Sequence, residues 1–142
     1  MDNIEDLFPC QIDSPEAMVA LGTRIGALLK KGDILALIGD LGAGKTHLTQ
    51  GVAKHFSYQG AVTSPTFNLI HEYPNTPLIH TDFYRLDQPA ELLQIGWEDY
   101  LEREAILVIE WADRFPELIP AGSHWVKIQH QDKSRSLQYT LH

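Results

Sequence analysis

Hydrophobic positions along this chain change their spacing several times, and each change marks an element. Met18, Leu21, Ile25, Leu28 and Leu29 recur at helical intervals behind Ser14-Pro15-Glu16. That tripeptide supplies a hydroxyl N-cap, a proline at the first helical position and an acid in the first turn. Lys30-Lys31 suit the negative end of the helix, and Gly32-Asp33 breaks it. Ile34 to Ile38 and Ala105 to Ile109 are continuous apolar runs of strand length, the pattern of strands covered on both faces. Between them, Leu48, Val52 and Phe56 share one face of a helix running from about Lys45 to Phe56.

The remaining pattern is shorter in period. Residues 60 to 68 read as loop, and Leu69 to Tyr73 and Leu78 to Thr81 as two strands around the turn Pro74-Asn75-Thr76-Pro77. Pro89-Ala90-Glu91-Leu92-Leu93 opens a short helix, and Trp97 to Arg103 is expected to be helical. Trp125 to Gln129 and Leu137 to Leu141 read as late strands around a polar turn, Gln131-Asp132-Lys133-Ser134-Arg135. Strands alternating with helices predict one α/β domain over residues 1–142. Its sheet is mixed and mostly parallel, sandwiched by helices, with late antiparallel strands.

Composition narrows the class. Hydrophobic residues at 44% and charged residues at 21% are those of a globular chain, and no apolar run approaches the roughly 20 residues that cross a bilayer. An acidic N-terminus, unlike a signal peptide, and a single cysteine, Cys10, make the cytoplasm the expected location. The formal charge of −8 opposes direct binding to a polyphosphate backbone, so any phosphate ligand must be held locally. The seven histidines are scattered, and no pair has zinc-site spacing.

Gly39-Asp40-Leu41-Gly42-Ala43-Gly44-Lys45-Thr46 fits G-x-x-x-x-G-K-[ST] between a buried strand and an amphipathic helix, the context that gives this P-loop pattern its meaning. Glycines let the backbone N–H groups curl toward phosphate oxygens, and the helix that follows adds its positive end. Lys45 is expected to reach the β- and γ-phosphates and Thr46 to ligate Mg²⁺; Asp40, Leu41, Gly42, Ala43, Gly44 and the His47 N–H line the phosphates. The fold expected is therefore that of a P-loop NTPase domain.

Ile106 to Ile109 followed by Glu110 has the form of a Walker B strand that delivers a carboxylate to Mg²⁺ or to the attacking water. Asp82, at the end of the Leu78 to Thr81 strand, is a second metal contact, a base for water, or a capping residue. Two carboxylates about 4 Å apart repel by around 4 kcal/mol at an effective dielectric near 20. Such a pair makes sense where a cation or a functional proton offsets it. Ser64-Pro65-Thr66-Phe67 is a candidate switch loop in which Thr66 senses the γ-phosphate or metal. No [NT]-K-x-D segment reads guanine and no arginine-rich lid is present, so ATP is the expected nucleotide.

Four segments in order resemble the TsaE (YjeE) family of bacterial tRNA threonylcarbamoyladenosine synthesis. They are Gly39 to Thr46, Ser64-Pro65-Thr66-Phe67, His80-Thr81-Asp82-Phe83-Tyr84-Arg85-Leu86 and Ile109-Glu110-Trp111. Ser14, Gly32-Asp33, Glu72-Tyr73 and Arg135 are smaller matches. The resemblance implies slow, Mg²⁺-dependent ATP hydrolysis in support of TsaD and TsaB, whose complex modifies adenosine 37 of tRNAs reading codons that begin with A. It implies metal roles for Thr46 and Glu110, a metal-linked or base role for Asp82, phosphate binding by Lys45, and a switch role for Thr66. Trp111 would gate the site or report nucleotide, and Arg135 would lie near the base. His47 departs from the family, which usually has a second threonine or another small residue there, and Phe83 stands where leucine is common. Two other readings of the same motifs are a small-molecule phosphotransferase and a nucleotide-sensing module without hydrolysis.

Overall fold

The computed structural model describes residues 3–39, 44–60, 62 and 69–141. Seven strands form a single sheet in the order β1-β7-β6-β2-β5-β4-β3. These are β1 (Cys10–Ile12), β2 (Ile34–Gly39), β3 (Ile70–Glu72), β4 (Leu78–Asp82), β5 (Ile106–Glu110), β6 (His124–Gln131) and β7 (Ser134–Leu141). The four central strands β6, β2, β5 and β4 run parallel, while β1, β7 and β3 pair antiparallel at the edges. The mixed, mostly parallel sheet with late antiparallel strands is the one the hydrophobic pattern predicts. Among the described residues no helix is long and apolar enough to cross a membrane.

Alternation along the central strands sorts side chains onto two faces. Leu35 and Leu37 of β2, Ile106 and Val108 of β5 and Leu78 of β4 join one core cluster, packed with residues of α1 (Pro15–Leu28) and α2 (Lys45–His55). Ile34, Ala36, Ile79, Leu107 and Ile109 join the other, under α3 (Pro89–Gln94), α4 (Trp97–Glu102) and several 3₁₀ turns.

α1 starts as the sequence indicates, with the Ser14 hydroxyl accepting from the Ala17 N–H at 3.0 Å. It meets α2 at nearly backbone contact: a Cβ placed on Gly51 would lie 2.0 Å from the Val19 carbonyl oxygen and 2.8 Å from Gly22 Cα. Thr23 Oγ1 seals the crossing, donating to the Gly51 carbonyl at 3.1 Å.

Two elements differ from the pattern. The expected polar turn over residues 131–135 shrinks to Asp132 and Lys133, with Asp132 at φ 42°, because β6 and β7 pair through Gln131↔Ser134 and His130↔Arg135. β1 is too short and too half-exposed to show a period, and forms because Cys10, Gln11 and Ile12 pair with β7. In both cases a long-range ladder extends strand into polar sequence that has little local preference for it.

Candidate active site

β2 lies between β5 and β6 and ends at Gly39, at the carboxyl end of the central strands, where open α/β sheets hold ligands. Asp40, Leu41, Gly42, Ala43 and Thr66 lie outside the described residues, as does all of Ser64 to Phe67. Gly44, at φ 107°, is the N-cap of α2, a left-handed conformation suited to glycine. Lys45 opens the helix and is buried, 5% exposed. Its Nζ donates to the Gly39 carbonyl and lies 4.4 Å from the centre of the Trp111 ring.

Asp82 and Glu110 are the last residues of β4 and β5 and stand in register across that parallel pair. Both are buried, at 9% and 2% exposure. Residue parity puts Asp82, His80 and Glu110 on the face that carries Leu78, Ile106 and Val108, the face covered by α2. Glu110 also pairs with Leu37 of β2, two residues before Gly39. The structure thus brings Lys45, Asp82 and Glu110 to one end of three adjacent strands.

The surroundings of the two acids differ. Asp82 Oδ1 accepts from the Tyr84 N–H at 2.8 Å, capping a 3₁₀ turn. Burial raises its carboxyl above the ordinary value; the Tyr84 bond opposes this, the Glu110 charge adds to it, and His80 and Lys45 lower it. Glu110 Oε2 accepts from His80 Nε2, and the other ring nitrogen of that imidazole, Nδ1, is 3.0 Å from the Tyr73 hydroxyl. His80 lies within a segment singled out in the sequence, yet neither it nor Tyr73 stood out as a site residue. Their only signal was a histidine two positions before an acid, which reads equally as core.

Trp111 follows β5 with φ 56°, an unusual backbone for a bulky residue. That turn lays its ring over Lys45 and 4.9 Å from the ring of Tyr84. Arg114 fastens the neighbouring segment, donating to the carbonyls of Tyr84 at 2.9 Å and Leu86 at 2.7 Å.

On the other side of the α2 start is a cleft of about 170 Å³, lined by Ile12, Ser14, Met18, Gly44, His47 and Arg135 among others. Arg135, 91 positions after Gly44 by their numbers (135 − 44), reaches this cleft because β7 lies next to β1. His47 is exposed there. Thr46, the second residue of α2, is half-buried.

A family model described as "Threonylcarbamoyl adenosine biosynthesis protein TsaE" matches residues 12–138. The chain belongs to the TsaE family. It is 35% identical over 129 residues to a tRNA threonylcarbamoyladenosine biosynthesis protein TsaE of Haemophilus influenzae, covering 86% of this chain and 82% of the relative. With the TsaE protein of Nostoc sp. it shares 44% identity over 119 residues, covering 80% and 73%. A crystal structure of Bacillus subtilis YdiB superposes with a TM-score of 0.78 at 31% identity, covering 94% of this chain and 84% of that one.

The donor set of this TsaE chain fits a magnesium ion. Among the described residues no group of three or more His, Cys, Asp or Glu side chains gathers as a protein-only metal cage. The two buried carboxylates, in register at the ends of β4 and β5, and Thr46 in the first turn of α2 are instead groups that would suit Mg²⁺, which is held by one or two protein acids and the substrate's phosphates. The rise of Asp82 under burial and the Glu110 charge is the electrostatic load that a divalent cation offsets.

Proposed function

We propose that this chain is a slow, Mg²⁺-dependent ATPase that supports threonylcarbamoylation of adenosine 37 in tRNAs reading codons that begin with A, acting with TsaD and TsaB. Its relatives are named for tRNA threonylcarbamoyladenosine biosynthesis. The observation that carries the catalytic part is the convergence of Lys45 with the in-register pair Asp82 and Glu110. Lys45 binds the β- and γ-phosphates while Trp111 covers it. The cleft with His47 and Arg135 takes the adenosine end of the nucleotide. Thr46, Asp82 and Glu110 are the residues that would hold Mg²⁺, which when bound neutralises charge on the phosphate oxygens. Asp82 either shares that metal role or takes a proton from the attacking water. The acidic chain leaves tRNA binding to the partner pair.

Phosphate release from the isolated chain, with and without TsaD and TsaB, tests this reading. Slow release alone, stimulation by the partners, and loss of both in Lys45→Ala that still unfolds cooperatively are the expected results. Rapid ATP consumption that requires a small-molecule acceptor would identify a phosphotransferase instead. Tight binding with no release under either condition would identify a nucleotide sensor.

A further inference from the structure

Glu110 does not stand alone at the end of β5; a buried polar chain runs behind it toward the β3–β4 hairpin. Tyr73, His80 and Glu110 are 2%, 0% and 2% exposed, and they are linked through the imidazole. A buried carboxylate needs a donor, and a buried imidazole needs partners for both nitrogens. An ionised Glu110 only accepts, so His80 Nε2 must carry the proton. In the neutral ring Nδ1 is then an acceptor, and the Tyr73 hydroxyl is the donor that fills it. The tyrosine is suited to remain a donor, because burial and the nearby Tyr58 and Glu110 raise its phenol above the ordinary value.

The far end of this chain is itself held. The Tyr73 N–H donates to the Leu78 carbonyl at 3.1 Å, and its own carbonyl accepts from Thr76 Oγ1 at 2.9 Å. The ring packs against His71 and Tyr58, with centroids 4.4 and 4.8 Å away. The Pro74 to Pro77 turn therefore fixes Tyr73, Tyr73 selects the tautomer of His80, and His80 holds Oε2 of Glu110.

We infer that Tyr73 and His80 are positioning residues that fix the tautomer and carboxylate plane behind Glu110, and so set how well the site takes Mg²⁺ with a nucleotide. The inference rests on the reading of Glu110 as a metal-handling group. Outer partners of this kind typically change metal affinity or activity by about 10–100-fold.

The test uses the intact chain as wild type, Tyr73→Phe, His80→Ala and His80→Gln. Nitrogen-15 NMR of the imidazole reads the ring-nitrogen hydrogens without any turnover, and His80 should carry one on Nε2, facing Glu110. An Nε2 without hydrogen would overturn the relay. ADP binding is then titrated with Mg²⁺. His80→Ala should need about tenfold more Mg²⁺ for half-maximal binding. Tyr73→Phe should need roughly threefold more, the effect of one modest hydrogen bond. His80→Gln, whose amide can still donate to Glu110, should recover most of the loss, while metal-free ADP binding stays unchanged throughout. Wild-type Mg²⁺ dependence in Tyr73→Phe also overturns the relay, and this variant covers the case in which His80→Ala does not fold. If the wild type releases no phosphate, yet the tautomer and the Mg²⁺ effects appear as expected, the ATPase reading falls and the relay stands.

Discussion

The two faces of the sheet are closed by different means. On one, two helices of 14 and 11 residues cross so closely that glycine is required at the contact. On the other, two six-residue helices and several 3₁₀ turns cover Ile34, Ala36, Ile79, Leu107 and Ile109. Helices that short gain little from their own hydrogen bonds, so they depend on anchors to the rest of the chain. Trp97 is one such anchor: its ring is buried at 1% exposure, and its Nε1–H donates to the Leu118 carbonyl at 2.8 Å. Arg114, holding two carbonyls around Leu86, is another. The first face is organised by shape, the second by a few specific side-chain bonds. The candidate site belongs to the first face, with α2 beginning at Lys45.

This contrast predicts unequal responses to small substitutions. Gly51→Ala should have the largest effect. The added methyl would need to occupy space 2.0 Å from the Val19 carbonyl oxygen, so α1 and α2 must separate. A loss of about 3 kcal/mol is expected, in the upper range for overpacking. Nucleotide binding should weaken with it, since α2 begins at Lys45. Denaturant unfolding and a nucleotide titration check both, and a wild-type midpoint would mean that the crossing is more compliant than its geometry.

Trp97→Phe comes next. It removes ring volume from the second core and leaves the Leu118 carbonyl without its donor. A loss of roughly 2 kcal/mol is expected, with nucleotide binding unchanged. Equal damage to stability and binding in this variant would erase the distinction between the faces.

The smallest effect is expected at the end of the strands. The folded Asp82 carboxyl keeps its proton to higher pH than its ordinary value of 3.8, chiefly because it is buried. The unfolded chain releases that proton first, so stability falls as pH rises from the ordinary value through the raised one. Asp82→Asn removes this dependence and retains an oxygen to accept from the Tyr84 N–H. Without nucleotide, the variant should therefore melt slightly above wild type at neutral pH, and the difference should vanish below about pH 4. A variant that melts lower at neutral pH would show that the ionised carboxylate is already well compensated.

Legibility in the sequence follows the same division. The first face could be read from periodicity, because α1, α2, β2 and β5 each carry a long, regular apolar pattern. α3 and α4 were also visible, through Pro89 and the Trp97 segment, but the 3₁₀ turns before α3 and after β5 are too short to have a period. The late strand pair was visible, but β1 and the extension of β6 and β7 through residues 130–136 were not, since these short stretches become strand only by pairing. For the site, Lys45, Asp82 and Glu110 could be named from local motifs alone, as each is the residue that begins or ends a well-patterned element. Tyr73 and His80 could not be given a role, because nothing local separates a relay imidazole from a core one.

What the sequence alone determined is the set of elements and the chemical groups at their ends: a P-loop, two strand-end carboxylates, and membership of the TsaE family through four ordered segments. Tertiary structure decided which of these groups meet. Strand order placed Glu110 between Leu37 and Asp82, and β7 carried Arg135 to the cleft beside Gly44. It also closed the chain from Tyr73 through His80 to Glu110. The physical reason is that periodicity and capping are set within a few residues along the chain. Adjacency, burial and the direction of a buried hydrogen bond depend instead on partners brought together by the sheet.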